Sequence, residues 1–149
     1  MRQPGRRLPK IKEPIKLNLG CGTEKTEGWT GIDIKDMGDN IIWDLREGIP
    51  FPDESVEEVY SCHFLEHMDD DDSMELFREI LRVLKKGKIT RHRLPHQQDP
   101  TAYYFGHKTF WNEAKINALV RVPGLEDFEI IGNDKIGGEL FFALRKRCQ

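Results

Sequence analysis

Ile15-Lys16-Leu17-Asn18-Leu19-Gly20-Cys21-Gly22-Thr23 is the stretch on which the reading of this chain turns. A short apolar run breaks off in Gly-X-Gly, and Asp33 closes a second apolar run thirteen residues beyond Gly20. A strand leading into glycines lets a ligand press against bare backbone, where a Cβ would collide with it. A carboxylate at the end of the next strand can accept both hydroxyls of a ribose. Together the two features point to an adenosine-type cofactor. A GxG pair is a weak motif by itself, so the rest of the chain has to agree with it.

Outward from this point, Ile15–Leu19 reads as a buried strand, and Thr23–Trp29 has room for one or two helical turns. Gly31–Ile34, Ile41–Trp43 and Val56–Cys62 read as further strands, with Pro50 and Pro52 marking an extended turn. Met74–Leu84 places Leu76, Phe77, Ile80, Leu81 and Leu84 at helical spacing, and Lys85-Lys86-Gly87 is its stop signal. Lys88–Leu94 is a fifth strand ending at Pro95, and Lys108–Val120 a second helix. Phe128–Gly132 and Glu139–Leu144 form a closing hairpin around Gly137-Gly138. The fold class expected is α/β: a Rossmann-like, mainly parallel sheet with a C-terminal antiparallel hairpin and a reduced set of helices. Ligands in such sheets sit at the carboxyl ends of the strands.

Five segments, in order, resemble the class I S-adenosylmethionine (SAM)-dependent methyltransferases, in particular the compact type 11-like members. Leu17–Thr23 resembles that family's first motif and Gly31-Ile32-Asp33-Ile34 its second-strand motif. Asp44-Leu45 with Ile49–Val56 resembles the stretch flanking the adenine. Ser61–His67 resembles the segment after the fourth strand, and Glu79–Gly87 the helix before the fifth. The resemblance runs from about Lys16 to Pro95, with the final hairpin agreeing in pattern. It implies methyl transfer from SAM, leaving S-adenosylhomocysteine. It also implies a cofactor site drawn from Leu19, Gly20, Cys21, Gly22, Asp33, Ile34, Asp44 and Leu45. Gly20 and Gly22 would face the methionine part and Asp33 the ribose; Asp44 and Leu45 would face the adenine. A dinucleotide is the rival cofactor. Its fingerprint needs a third glycine where Lys25 stands, and an acid further along than Asp33.

Two features depart from the family. Only seven residues separate Asp33 from Ile41, whereas a parallel crossover normally takes about a dozen or more. One sheet face is therefore expected to be thinly covered, and its exposed apolar surface to be met by a homodimer partner or capped by the N-terminal arm. Arg91-His92-Arg93 also puts polar residues where a buried parallel strand would be apolar. Either the strand frays there or its side chains reach a polar pocket.

All five histidines fall within residues 63–107. His63, directly after the fourth strand, is the candidate general base, because imidazole titrates near neutral pH; the alternative is that it only holds the loop. The aromatic-rich stretch after the fifth strand supplies His96, Tyr103, Tyr104 and His107 as candidate acceptor contacts, or else packs on the hairpin. No metal site is expected, since His63-Phe64-Leu65-Glu66-His67 is not an HExxH motif. Asp69–Asp72 reads as helix capping rather than a calcium loop.

At 149 residues the chain reads as one domain, residues 15–149, behind a basic arm, residues 1–14. The chain carries a net charge of −3, yet residues 1–16 hold six basic residues and one acidic, leaving −8 for the rest. The acidic body argues against a dedicated nucleic-acid binder. No apolar run reaches the roughly 18 residues of a membrane span. Three cysteines without a CxxC pair fit free thiols in a cytoplasmic protein. The function expected is methyl transfer to an O, N or C atom of a small-molecule acceptor. A non-catalytic SAM- or nucleotide-binding subunit is the alternative.

Overall fold

The computed structural model describes residues 10–148; the first nine residues of the basic arm lie outside them. Seven strands form one sheet: β1 (Ile15–Leu19), β2 (Thr30–Asp33), β3 (Ile41–Ile42), β4 (Val56–Cys62), β5 (Leu84–Pro95), β6 (Phe128–Ile136) and β7 (Glu139–Lys146). Their order is β3-β2-β1-β4-β5-β7-β6. β1 to β5 run parallel, and β7 lies antiparallel between β5 and β6. Two helices accompany them, α1 (Asp70–Val83) and α2 (Glu113–Leu119), with single 3-10 turns at Leu45–Glu47, Leu65–His67 and Pro100–Tyr103. No helix among the described residues is long and apolar enough to cross a membrane.

The helices lie against one face of the sheet. Leu76, Phe77, Ile80 and Val83 of α1 and Ile116 and Leu119 of α2 join Leu17, Leu19, Ile32, Val59, Leu94, Leu140, Phe142 and Leu144 in a single core. α1 starts where Asp69 accepts the Asp72 amide (2.8 Å), with Asp70, Asp71 and Asp72 in the first turn, so the acidic run does cap a helix. Its far end is tied to the loop before β4. Glu79 accepts the Ile49 amide (2.9 Å), while Arg82 donates to the Ile49 carbonyl (2.9 Å) and to Asp53 (2.8 Å).

The opposite face carries no helix among the described residues. Its side chains are Lys16 and Asn18 of β1, Glu58, Tyr60 and Cys62 of β4, Arg91 and Arg93 of β5, and Phe141 of β7, as the strand register requires. Arg91 pairs with Glu58 and Arg93 with Glu139, and both guanidinium groups lie over aromatic rings, of Tyr60 and Phe141. The bare face is thus surfaced by paired charges and aromatic rings, not by the exposed apolar patch that short crossovers suggested.

α1 starts at Asp70 rather than Met74 and β6 runs to Ile136 rather than Gly132, and three further elements differ more deeply from the sequence reading. Thr23–Trp29 forms no helix. Turns closed by Glu24 N–H to Cys21 O and Trp29 N–H to Thr26 O (3.0 Å each) fill that crossover, and Gly28 at φ +84° interrupts any helix there. β5 does not fray. It begins at Leu84, directly off α1, takes up extra residues at a bulge around Gly87 (φ +80°), and continues through Arg91–Arg93 to Pro95. α2 begins only at Glu113, because Asn112 caps the Lys115 amide (2.9 Å) and Trp111 is still extended, bridging to His96.

Candidate functional site

The carboxyl ends of β1, β2 and β4 open into a cavity of about 590 Å³. β1 gives way to Gly20, whose amide donates to the Ile32 carbonyl (2.8 Å), and Gly20 and Gly22 both sit at positive φ, +63° and +54°. A Cβ on Gly20 would lie 2.2 Å from the Phe64 ring, so glycine is required there by a neighbouring side chain. Asp33 ends β2 and shapes the same loop: its carboxylate accepts the amides of Gly22 and Lys35, each at 3.0 Å. Asp44 caps the 3-10 turn by accepting the Arg46 amide (3.0 Å). It also receives the Arg46 guanidinium at 2.8 Å, which holds its carboxyl below the ordinary range. Trp43, anchored through Nε1 to the Gly48 carbonyl (3.0 Å), lies beneath with Leu45, Ile34, Met37 and Met68 as an apolar lining.

His63 stands on the β4 side of this cavity in the left-handed region, φ +54°. Its Nε2 meets Glu139 at 2.5 Å, and Arg93 donates to the other oxygen of the same carboxylate at 2.7 Å. Arg93 first, and then His63, hold Glu139 below the usual carboxylate range. Behind the cavity wall lies Glu66, only 2% exposed; burial pushes its carboxyl up.

Gly20, Gly22, Asp33, Ile34, Asp44, Leu45 and His63 all line the one cavity. Leu19 is fully buried in the core, and Cys21 turns its thiol toward Gly31 and a smaller neighbouring hollow, so both face the cavity through main chain at most. The aromatic-rich stretch is divided. His96 is buried between Glu113 (Nε2, 2.5 Å) and the Gln98 amide (3.1 Å), away from the cavity. Tyr103 donates to the Gln97 carbonyl (2.8 Å) and stacks on Phe110; Tyr104 is exposed beside His107. His107 reaches the cavity margin by packing edge-on against His67, ring centroids 4.7 Å apart.

The family described as "Methyltransferase domain" matches residues 17–90, the span from the first glycine strand to the middle of β5. The chain belongs to the class I SAM-dependent methyltransferases.

Solved structures agree in fold. A SAM-dependent methyltransferase from Archaeoglobus fulgidus superposes with a TM-score of 0.70 at 17% identity, covering 89% of this chain and 86% of that one. One from Methanosarcina mazei gives 0.66 at 18% identity, over 91% and 93%. A chain from the complex of the Haloferax volcanii Trm112 methyltransferase activator with its methyltransferase gives 0.71 at 16%, over 95% and 85%. Among curated protein sequences nothing matches significantly.

SAM is the cofactor of this methyltransferase, and the cavity suits it. A Cβ built on Gly22 meets nothing within 4 Å, so ligand space opens beside that backbone. Asp33 gives it a carboxylate, and Ile34, Met37, Trp43, Leu45 and Met68 an apolar lining, the groups that a diol and an aromatic base require. Sequence reasoning missed Phe64, Trp43, Met68 and Lys108 in the methyltransferase's cavity, and Glu139 behind His63. Glu139 lies 76 residues from His63, and no local pattern signals such a pair.

Proposed function

We propose that this methyltransferase acts on an O, N or C nucleophile of a small molecule and that His63 is its general base. The observation carrying this reading is the placement of His63 on the cavity wall with the Glu139 carboxylate behind it. A carboxylate only accepts, so Nε2 carries the proton and Nδ1 is left as the basic nitrogen. Arg93 keeps Glu139 ionised, and an ionised Glu139 stabilises the imidazolium formed when Nδ1 takes a proton from the acceptor.

When bound, SAM supplies a methyl group already activated by its sulfonium. The chain's own task is then to hold the acceptor in line in a site screened from water. In our reading the backbone of Leu19–Gly22 supports the methionine part, and Asp33 takes the ribose hydroxyls with the lone pairs its two amide bonds leave free. Asp44, whose carboxylate also receives Arg46, accepts from the adenine amino group, and the Leu45 amide meets the ring; Ile34 closes the apolar lining. A cavity of about 590 Å³ falls within the roughly 300–1,000 Å³ typical of small-molecule sites. His107, and beyond it Tyr103 and Tyr104, would contact the acceptor where the aromatic stretch borders the cavity.

Transfer of a labelled methyl group from SAM to a panel of phenols, amines and carbon acids tests the reading. At least one acceptor is expected to be methylated, and His63→Ala to lower kcat about 100-fold or more with the KM for SAM unchanged. An unchanged kcat in His63→Ala removes the base. Methylation confined to macromolecules removes the small-molecule acceptor.

A further inference from the structure

Glu66 is the most anomalous side chain in the described molecule. It is 2% exposed, neither carboxylate oxygen has a hydrogen-bond partner, and the nearest basic nitrogen is His63 Nδ1, 3.9 Å away. A buried carboxylate without donors costs several kcal/mol and is ordinarily paired or bound to a cation. Ligand atoms of Glu66, His67 and His107 lie within 4.8 Å of one another.

The two rings are set as metal ligands are. His67 Nδ1 lies 3.1 Å from the Gly106 carbonyl and His107 Nδ1 3.2 Å from the Ala102 carbonyl. A carbonyl only accepts, so each Nδ1 carries the proton and each Nε2 keeps the lone pair a metal needs. Metal-binding histidines characteristically have the second nitrogen fixed in this way. The backbone holds the third group in place as well. The amides of Lys108 and Thr109 donate to the Glu66 carbonyl (2.7 and 3.2 Å), which docks the His107 segment over Glu66 and His67.

We propose that Glu66, His67 and His107 form a binding site for one divalent first-row transition-metal ion. Two imidazoles and one carboxylate suit such an ion better than calcium or magnesium, which prefer all-oxygen sets. Bonds of about 2.1 Å in a tetrahedral set place donors about 3.4 Å apart. The 4.8 Å limit therefore closes by modest side-chain rotation, with His67 and His107 at or near the surface. The ion leaves at least one coordination position open, and His67 lines the cofactor cavity, so the metal sits at the cavity margin. It also ties the aromatic stretch carrying Tyr103, Tyr104 and Phe105 to the segment after β4.

The test is calorimetric titration of the metal-stripped full chain with Zn2+, alongside Co2+ absorption spectra, with neither SAM nor acceptor present. One ion per chain is expected, with affinity falling at least tenfold in His107→Ala and in the near-isosteric Glu66→Gln. The Co2+ spectrum is expected to lack a thiolate charge-transfer band. His107 lies outside the core, so its variant stays informative even if Glu66→Gln unfolds. No binding by folded wild type overturns the proposal. Binding that is unchanged in His107→Ala overturns it too, and a thiolate band overturns it and assigns the ion to a cysteine. Because the readout is metal binding without turnover, it is independent of the reaction proposed above.

Discussion

The two faces of the sheet are built from the same strands by different physics. On the helix-covered face, Thr90, His92 and Leu94 of β5 are buried against α1 and β7. One residue over, Arg91 and Arg93 emerge on the bare face and are held by Glu58 and Glu139. The covered face is stabilised by exclusion of water and close packing. The bare face is finished with ion pairs and cation–ring contacts that let it stand in water without helices. A run such as Arg91-His92-Arg93 is thus not a frayed strand: its alternate residues answer to different surroundings.

The comparison is most sharply tested on the covered side. Phe77 is fully buried and contacts His92, Phe128 and Phe142. Phe77→Ala is expected to cost about 3–5 kcal/mol in denaturant unfolding. A loss under about 1 kcal/mol would mean that the face is not a packed core.

The next largest effect is one of pH. His92 is enclosed between Ser61 (2.6 Å) and Thr90 (2.7 Å) among the rings of Phe77 and Phe142, and burial pushes its pKa down to about 3. The native state keeps it neutral while the unfolded chain protonates it below about pH 6.5. Its contribution is therefore intact above that value and lost as pH falls toward 3. Between pH 7 and pH 5 the loss is about 2 kcal/mol. Unfolding titrations of wild type and His92→Gln are expected to diverge by that amount, with the variant the less pH-dependent. Parallel curves would place a charged or hydrated histidine in the core.

The smallest effect belongs to the bare face. Arg91→Ala is expected to cost no more than about 1 kcal/mol, and less in high salt, because the pair it forms with Glu58 is partly exposed. A salt-independent loss comparable to that of Phe77→Ala would show that something covers this face in solution.

Much of the architecture was legible in the sequence, for physical reasons. Ile15–Leu19 breaking into glycines, the helical spacing from Leu76 to Leu84, and the Gly137-Gly138 turn are local patterns that local forces obey. The short crossovers announced a face without helices, but not what would finish it. That depended on cross-strand neighbours such as Tyr60 beside Arg91, which only register reveals. Gly20, Gly22, Asp33, Asp44 and His63 share a cavity because each follows directly from a strand end or a cap. Glu139 behind His63 and His107 over Glu66 came from distant segments and left no mark on local sequence. His96 looked like an acceptor contact in a list of histidines, but its neighbours place it in a buried pair with Glu113.

The central claim is that the glycine–aspartate cavity holds the cofactor, and calorimetric titration with S-adenosylhomocysteine tests it most directly. Wild type is compared with Asp33→Asn, which keeps the side chain's shape and one oxygen for the Gly22 loop. The account predicts micromolar binding by wild type and at least tenfold weaker binding by a folded Asp33→Asn. Equal affinities, or no binding by folded wild type, would contradict it.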